Sequence, residues 1–111
     1  MQQMTITENT TIQIINAKNE TYTGYLNYNS SRQGWFLDLV SESFKIYGLR
    51  ITSIPNVLRQ WKDILGFGLS VSCENNSEPF FFEDFNTGRA KLYLLEPDDL
   101  IIQDLLYAEI Q

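Results

Sequence analysis

The strongest constraint on the fold is an alternation of apolar and polar residues that recurs at intervals of about ten residues. Four segments carry it: residues 11–17, 21–29, 34–40 and 44–52. Successive side chains of a strand point to opposite faces of a sheet, so alternation predicts a strand with one buried face. Polar turns separate the four segments. The pattern therefore predicts a four-stranded antiparallel meander over residues 11–52.

The predicted faces follow from the same alternation. Residues 22, 24, 26 and 28 share one face, and residues 35, 37 and 39 share another. Residues 44–52 are expected to alternate throughout, with Phe44, Ile46, Gly48 and Arg50 opposite Lys45, Tyr47, Leu49 and Ile51. Two further strands are expected at 68–74 and 90–96. The prediction is a mainly β fold, a small antiparallel barrel or sandwich of about six to seven strands.

Two segments have helical spacing instead. One lies near residues 55–65, where apolar residues recur at intervals of three and four after Pro55, which suits the first turn of a helix. Gly66 is expected to end it. The other runs near residues 97–109, where Pro97 and two following acids suit a helix N-terminus. We therefore divide the chain into a β domain, 1–96, and a C-terminal helical extension, 97–111.

The C-terminal helix is the candidate interaction site. Its apolar residues form a broad stripe: Leu100, Ile101, Leu105, Leu106 and Ile110. The stripe either packs back on the sheet or docks on another chain, and both alternatives remain open at this point. We predict that it is an interface.

Composition argues against catalysis and against several ligands. The chain has no histidine and one cysteine, Cys73. These counts remove Ser-His and Cys-His nucleophile pairs, a zinc cluster and an internal disulfide. No cofactor, metal or catalytic residue is predicted. The net charge of −6 disfavours nucleic acid and anionic lipid surfaces, and the sequence has no apolar run long enough to span a membrane.

Two aromatic groups allow other interpretations. Glu83 and Asp84 lie among four phenylalanines in residues 80–85, a composition that sugar-binding or sugar-cleaving modules use, with Asp38 as a possible second acid. The simpler interpretation is that they are surface and turn acids. Separately, a stacking platform for single-stranded nucleic acid would draw on these aromatic residues: Tyr22, Tyr25, Tyr28, Trp35 and Tyr47. The missing basic groove favours a core or interface role for them.

The order of the motifs resembles one known family. A W-x-L-D-L strand is matched by Trp35, Leu37, Asp38 and Leu39. The ending D-x-x-T-x-x-x-L-x-Y is matched by Asp84, Thr87, Lys91 and Tyr93, where Lys91 stands at the position of the motif's leucine. The spacing departs from the motif, because the leucine of this chain, Leu92, directly precedes Tyr93. Over residues 10–96 the chain resembles the baseplate plug domain of contractile-tailed bacteriophages, which is related to the ripcord proteins.

The resemblance implies a structural protein of the virion. It implies a place in the tail baseplate, where contacts join hub, tail tube, and sheath initiator or wedge, and where copies of the chain surround a symmetry axis. The alternative is an acidic adaptor or immunity-type protein. That alternative depends on residues 74–111, where nine acids and two bases give a net charge of −7. Residues 1–73 carry a net charge of +1. A carbohydrate-binding β module ranks behind both.

Overall fold

The fold consists of two antiparallel sheets. The computed structural model describes residues 2–6, 9–16 and 18–110, with the backbone alone described for residues 76 and 104–110. Within these residues the strands are β1 (Gln2–Met4), β2 (Thr10–Ile15), β3 (Thr21–Asn29), β4 (Gly34–Val40), β5 (Lys45–Arg50), β6 (Gly68–Cys73) and β7 (Ala90–Leu95). The prediction of a mainly β fold with six to seven strands is confirmed.

The larger sheet is the predicted meander. Its strand order is β2-β3-β4-β5, so each strand pairs with its neighbour in the sequence. β3 and β4 have the predicted bounds and pair antiparallel, with Leu26 opposite Leu37 and Tyr28 opposite Trp35. Short polar turns leave no room for a crossover, which is why the alternation alone predicts this topology.

The smaller sheet has the order β1-β7-β6. β1 was not predicted as a separate strand, and it pairs antiparallel with β7, with Met4 opposite Leu92. The outer edge of β6 is covered by the segment before the first helix. The Val57 amide donates to the Leu69 carbonyl at 2.8 Å, and the Val71 amide donates to the Ile54 carbonyl at 3.1 Å. This cover protects β6 from pairing with another chain.

One core lies between the sheets, which are not closed into a barrel. The predicted inward faces are confirmed, because Tyr22, Leu26 and Trp35 are fully buried. Tyr22 and Phe67 meet edge to face, with ring centroids 5.2 Å apart. Such aromatic pairs add to the stabilisation that comes from the buried area.

The strict alternation predicted for residues 44–52 is wrong. A register shift between Leu37 and Leu39 places one extra residue on β5, a β-bulge. Gly48 adopts a left-handed conformation there, with φ of 68°. The bulge therefore reverses which of the even- and odd-numbered residues face the core. Ile46 packs against the core before the bulge, and Leu49 does so after it.

Both predicted helical segments are present, and the first begins later than predicted. A 3₁₀ turn at Arg59–Trp61 leads into α1 (Lys62–Leu65), and Gly66 ends α1 with φ of 73°. Pro55 lies four residues before this turn and does not occupy the first turn of a helix, contrary to the prediction. α2 (Asp84–Thr87) is short, and α3 (Pro97–Ile110) is the predicted C-terminal helix. Among the described residues, no helix combines the length and apolarity that crossing a membrane requires.

Candidate interaction surfaces

The helix α3 leaves the β unit immediately after β7. Glu96 separates the two elements, and its backbone amide donates to Oδ2 of Asp99 at 2.9 Å. This hydrogen bond caps the first turn. It also lowers the pKa of the Asp99 carboxyl, because the bond stabilises the charged form. The hydrogen bond therefore joins the first turn of α3 to the residue that directly follows β7.

The described part of the predicted apolar stripe is not covered by the sheet. Leu100 is half-buried, whereas Ile101 is 59% exposed and the adjacent Ile102 is 57% exposed. Gln103 donates from Nε2 to the Pro55 carbonyl at 3.0 Å. For Leu105, Leu106 and Ile110, the helical backbone is described, but their side chains lie outside the described residues.

A shallow cavity of about 280 Å³ lies between α1 and the beginning of α3. Ile64, Leu65, Leu100 and Ile101 supply its apolar wall, and Lys18, Lys62 and Asp63 supply charged side chains. Ile64 is itself 56% exposed. Ile64 of α1 and Ile101 of α3 therefore line the same cavity.

A second apolar surface is the aromatic loop, which we define as Phe80–Phe82. Its three side chains are 41%, 59% and 40% exposed. Core side chains hold its backbone: the Tyr28 hydroxyl donates to the Phe80 carbonyl at 2.6 Å, and the Trp35 indole Nε1 donates to the Phe81 carbonyl at 3.2 Å. The Phe82 ring stacks on Trp35 with centroids 5.8 Å apart.

An ion pair fixes the other side of the aromatic loop. Asp84 is 3% exposed, and its Oδ2 accepts from the Phe81 amide at 2.8 Å. Arg89 Nη1 lies 2.8 Å from the same oxygen. Arg89 also donates to the Glu78 carbonyl and to Ser77. A buried carboxylate requires such a partner, and Asp84 in turn holds the backbone amide of Phe81 in the loop.

The acids considered for sugar chemistry differ in their surroundings. Glu83 is exposed, as expected of a surface acid, but Asp84 is buried and serves the ion pair with Arg89. Asp38 accepts from the Gly48 amide at 2.7 Å and supports the bulge. Both aspartates therefore have structural roles. Among the residues that the structure describes, no group of three or more His, Cys, Asp and Glu residues is placed to hold a metal ion.

The five aromatic residues considered for a stacking platform do not share a surface. Tyr22 and Trp35 are core residues, and burial raises the pKa of the Tyr22 phenol, assisted by the nearby charge of Glu20. Tyr25 and Tyr47 are 44% and 67% exposed, on a sheet whose other face forms the core. The interpretation that the buried pair fills the core is confirmed.

These observations define a class: a small two-sheet β protein whose exposed apolar side chains include those of an appended helix and of an anchored loop. The family model described as "Cyanophage baseplate Pam3 plug gp18" matches residues 1–97, and the chain belongs to this family of phage baseplate plugs. Comparison with curated proteins found no match. The resemblance seen in residues 10–96 is confirmed, and the chain has a structural role in a phage tail baseplate.

The sequence did not reveal that the aromatic loop is held open to solvent. Three consecutive phenylalanines normally indicate a buried segment. The contacts that expose them come from Tyr28 and Trp35, which lie 52 and 46 residues away from their acceptors along the chain. No local pattern carries that information.

Proposed function

We propose that this chain joins the hub, the tail tube, and the sheath initiator or wedge of the baseplate through protein–protein contacts. Several copies would do so around the symmetry axis of the virion. The observation that carries the proposal is the exposed pair Ile101–Ile102 on a helix that begins where the family match ends. An apolar helical face of this kind is a common docking element.

The proposal gives the two parts of the chain different tasks. Residues 1–96 form the β unit, and residues 97–111 form an extension that docks on a neighbouring protein. The contact residues in this proposal are the predicted stripe, Leu100, Ile101, Leu105, Leu106 and Ile110. Support comes from the attachment of α3, which is capped at Asp99 and contacts the segment at Pro55 while Ile101 and Ile102 stay exposed.

The sheet edges offer a second mode of contact. β1 and β2 each have one strand neighbour among the described residues, and Ile15 at the end of β2 is 66% exposed. A strand with a single neighbour in its sheet can accept a strand from another chain. β5 is less suited to such pairing, because the bulge at Gly48 interrupts it.

Charge favours a basic partner. Residues 74–111 carry −7, and Asp98 and Asp99 lie in the first turn of α3. Charge of one sign concentrated on one part of a chain steers association with the opposite sign and raises the rate of encounter. This feature also underlies the acidic-adaptor alternative. The alternative predicts binding that collapses as salt rises, without incorporation into tails.

The substitution Ile101→Asp tests the docking role of α3. Because the side chain is largely exposed, we expect an unchanged fold, a stability change within about 0.5 kcal/mol, and loss of incorporation into tails. Tyr47→Asp is the matched control, since Tyr47 is also exposed but lies on the bulged strand. Leu105→Asp and Leu106→Asp extend the test along the helix. Unfolding of these variants, or their normal incorporation, would contradict the proposal.

A further inference from the structure

The aromatic loop, Phe80–Phe82, has features that the fold does not require. We propose that Phe80 and Phe81 form a preformed docking element that inserts into an apolar pocket, rimmed by Lys or Arg, on another protein of the baseplate. This inference rests on the proposed function and adds a second contact surface to it. It involves neither α3 nor the sheet edges.

The three phenylalanines divide into one that serves the fold and two that do not. Phe82 stacks on Trp35 at an interplanar angle of 16° and meets Tyr28 edge to face. Phe81 is 59% exposed, and its ring has a distant cationic neighbour, with Arg89 Cζ 5.9 Å from the centroid. Phe80 is 41% exposed. The exposed surface of these two rings is therefore available to a partner.

The backbone that carries the two rings is held in place before any partner arrives. The Phe80 and Phe81 carbonyls accept from Tyr28 and Trp35, and the Phe81 amide donates to Asp84. Ordering a loop at an interface costs free energy, which lowers affinity. Here folding has already supplied that order. Rigid aromatic anchors of this kind are typical of the residues that dominate binding energy.

Charge around the aromatic loop identifies the chemistry of the occupant. Residues 74–89 carry a net −3: Arg89 and the buried Asp84 offset each other in their ion pair, which leaves Glu74, Glu78 and Glu83. Glu83, next to the loop, is exposed. An apolar pocket with a basic rim complements this arrangement. A symmetric contact with a second copy would bring two such acidic patches together, and an anionic lipid surface would repel the patch.

Photo-crosslinking in assembled particles tests the inference. p-Benzoylphenylalanine is placed at position 81, or at position 80 in a second variant, with position 47 as the control. We expect both loop positions to crosslink to one other baseplate protein, at apolar residues flanked by Lys or Arg, and position 47 not to do so. A particle that contains the chain but gives no loop crosslink, or gives one only to another copy of the chain, overturns the inference and leaves the proposed function standing.

Binding to the crosslinked protein is then measured by calorimetry with the full chain. Phe81→Ser is expected to weaken binding by about tenfold or more, whereas Tyr47→Ser leaves it unchanged. Glu83→Gln is expected to reduce the salt dependence of the affinity. Equal affinities for Phe81→Ser and the unmodified chain contradict the inference. Absence of the chain from all tail particles contradicts the proposed function instead, so the two failures are distinguishable.

Discussion

The indole nitrogen of Trp35 donates a hydrogen bond to the carbonyl oxygen of Phe81 across 46 residues of chain, at 3.2 Å. Trp35 is fully buried on β4, and Phe81 is 59% exposed. One core side chain thus packs the interior and also fixes a surface loop. Mutations at Trp35 are therefore expected to affect the stability and the presentation of the aromatic loop together.

Trp35→Phe removes this hydrogen bond and leaves a small cavity. We expect a loss of about 2 kcal/mol in the free energy of unfolding, measured by urea denaturation. Trp61→Phe is the control, because Trp61 is half-buried beside Phe44, and it should cost less than about 1 kcal/mol. Equal losses for the two variants would contradict this expectation.

The ion pair between Asp84 and Arg89 predicts that a second substitution partly restores the stability that the first one removes. Arg89→Met leaves the buried Asp84 carboxylate without its cation and should cost about 2–3 kcal/mol, at the low end for buried pairs because Arg89 is 30% exposed. Asp84→Asn, added to Arg89→Met, should restore about 1 kcal/mol, since a neutral amide still accepts from the Phe81 amide. A double variant less stable than Arg89→Met alone would contradict this account.

The bulge in β5 shows where prediction from alternation ends. The pattern in residues 44–52 is regular. A glycine within a strand often marks a bulge, but Gly24 lies in β3 in regular register, so Gly48 alone does not show that Tyr47 and Gly48 together oppose Asp38. The Asp38 carboxylate stabilises the extra residue by accepting from the Gly48 amide, a contact made between strands. The meander could be predicted from the sequence because each strand has one apolar face, whereas the parity change depends on a tertiary hydrogen bond.

Two glycines should tolerate substitution unequally. A Cβ at Gly68 would lie 2.5 Å from Nδ2 of Asn56, a buried side chain whose Oδ1 accepts from the Leu58 and Leu69 amides. Gly68→Ala should therefore cost about 3 kcal/mol.

At Gly34 the obstacle is the guanidinium of Arg50, 2.7 Å from the added Cβ. The end of this long side chain can move away, so Gly34→Ala should cost about 1 kcal/mol, mainly through the bonds of Arg50 to the Arg32 and Gln33 carbonyls. Thermal denaturation of both variants checks which substitution costs more stability. A larger loss of stability for Gly34→Ala than for Gly68→Ala would contradict the prediction.

The stability of the first turn of α3 should depend on pH. The pKa of Asp99 is lowered from 3.8 in the folded chain, chiefly by the hydrogen bond from the Glu96 amide. The charged Asp99 carboxylate therefore stabilises the first turn of α3 above about pH 3.8, and this stabilisation is lost as the pH falls through the lowered pKa. Backbone chemical shifts of residues 97–103 during an acid titration measure the effect. Asp99→Asn should abolish the dependence, whereas Asp98→Asn should retain it; identical titrations for the two variants would contradict the assignment.

The candidate surfaces were predictable to different degrees. The helix from Pro97 was predicted because proline and acids mark its beginning and its apolar residues do not alternate. β1 was missed because Gln2–Met4 is too short to show a period, and only its pairing with β7 reveals it. The exposure of the aromatic loop was missed because distant side chains produce it. Local patterns therefore predict elements, while long-range hydrogen bonds decide which residues a partner can reach.

The most direct test of the central claim is mass spectrometry and electron cryomicroscopy of purified tails. The account predicts several copies of this chain around the tail axis at the junction of hub and tube, with α3 in contact with a neighbouring baseplate protein. A chain that is a stable monomer in solution and is absent from intact tail particles would contradict it.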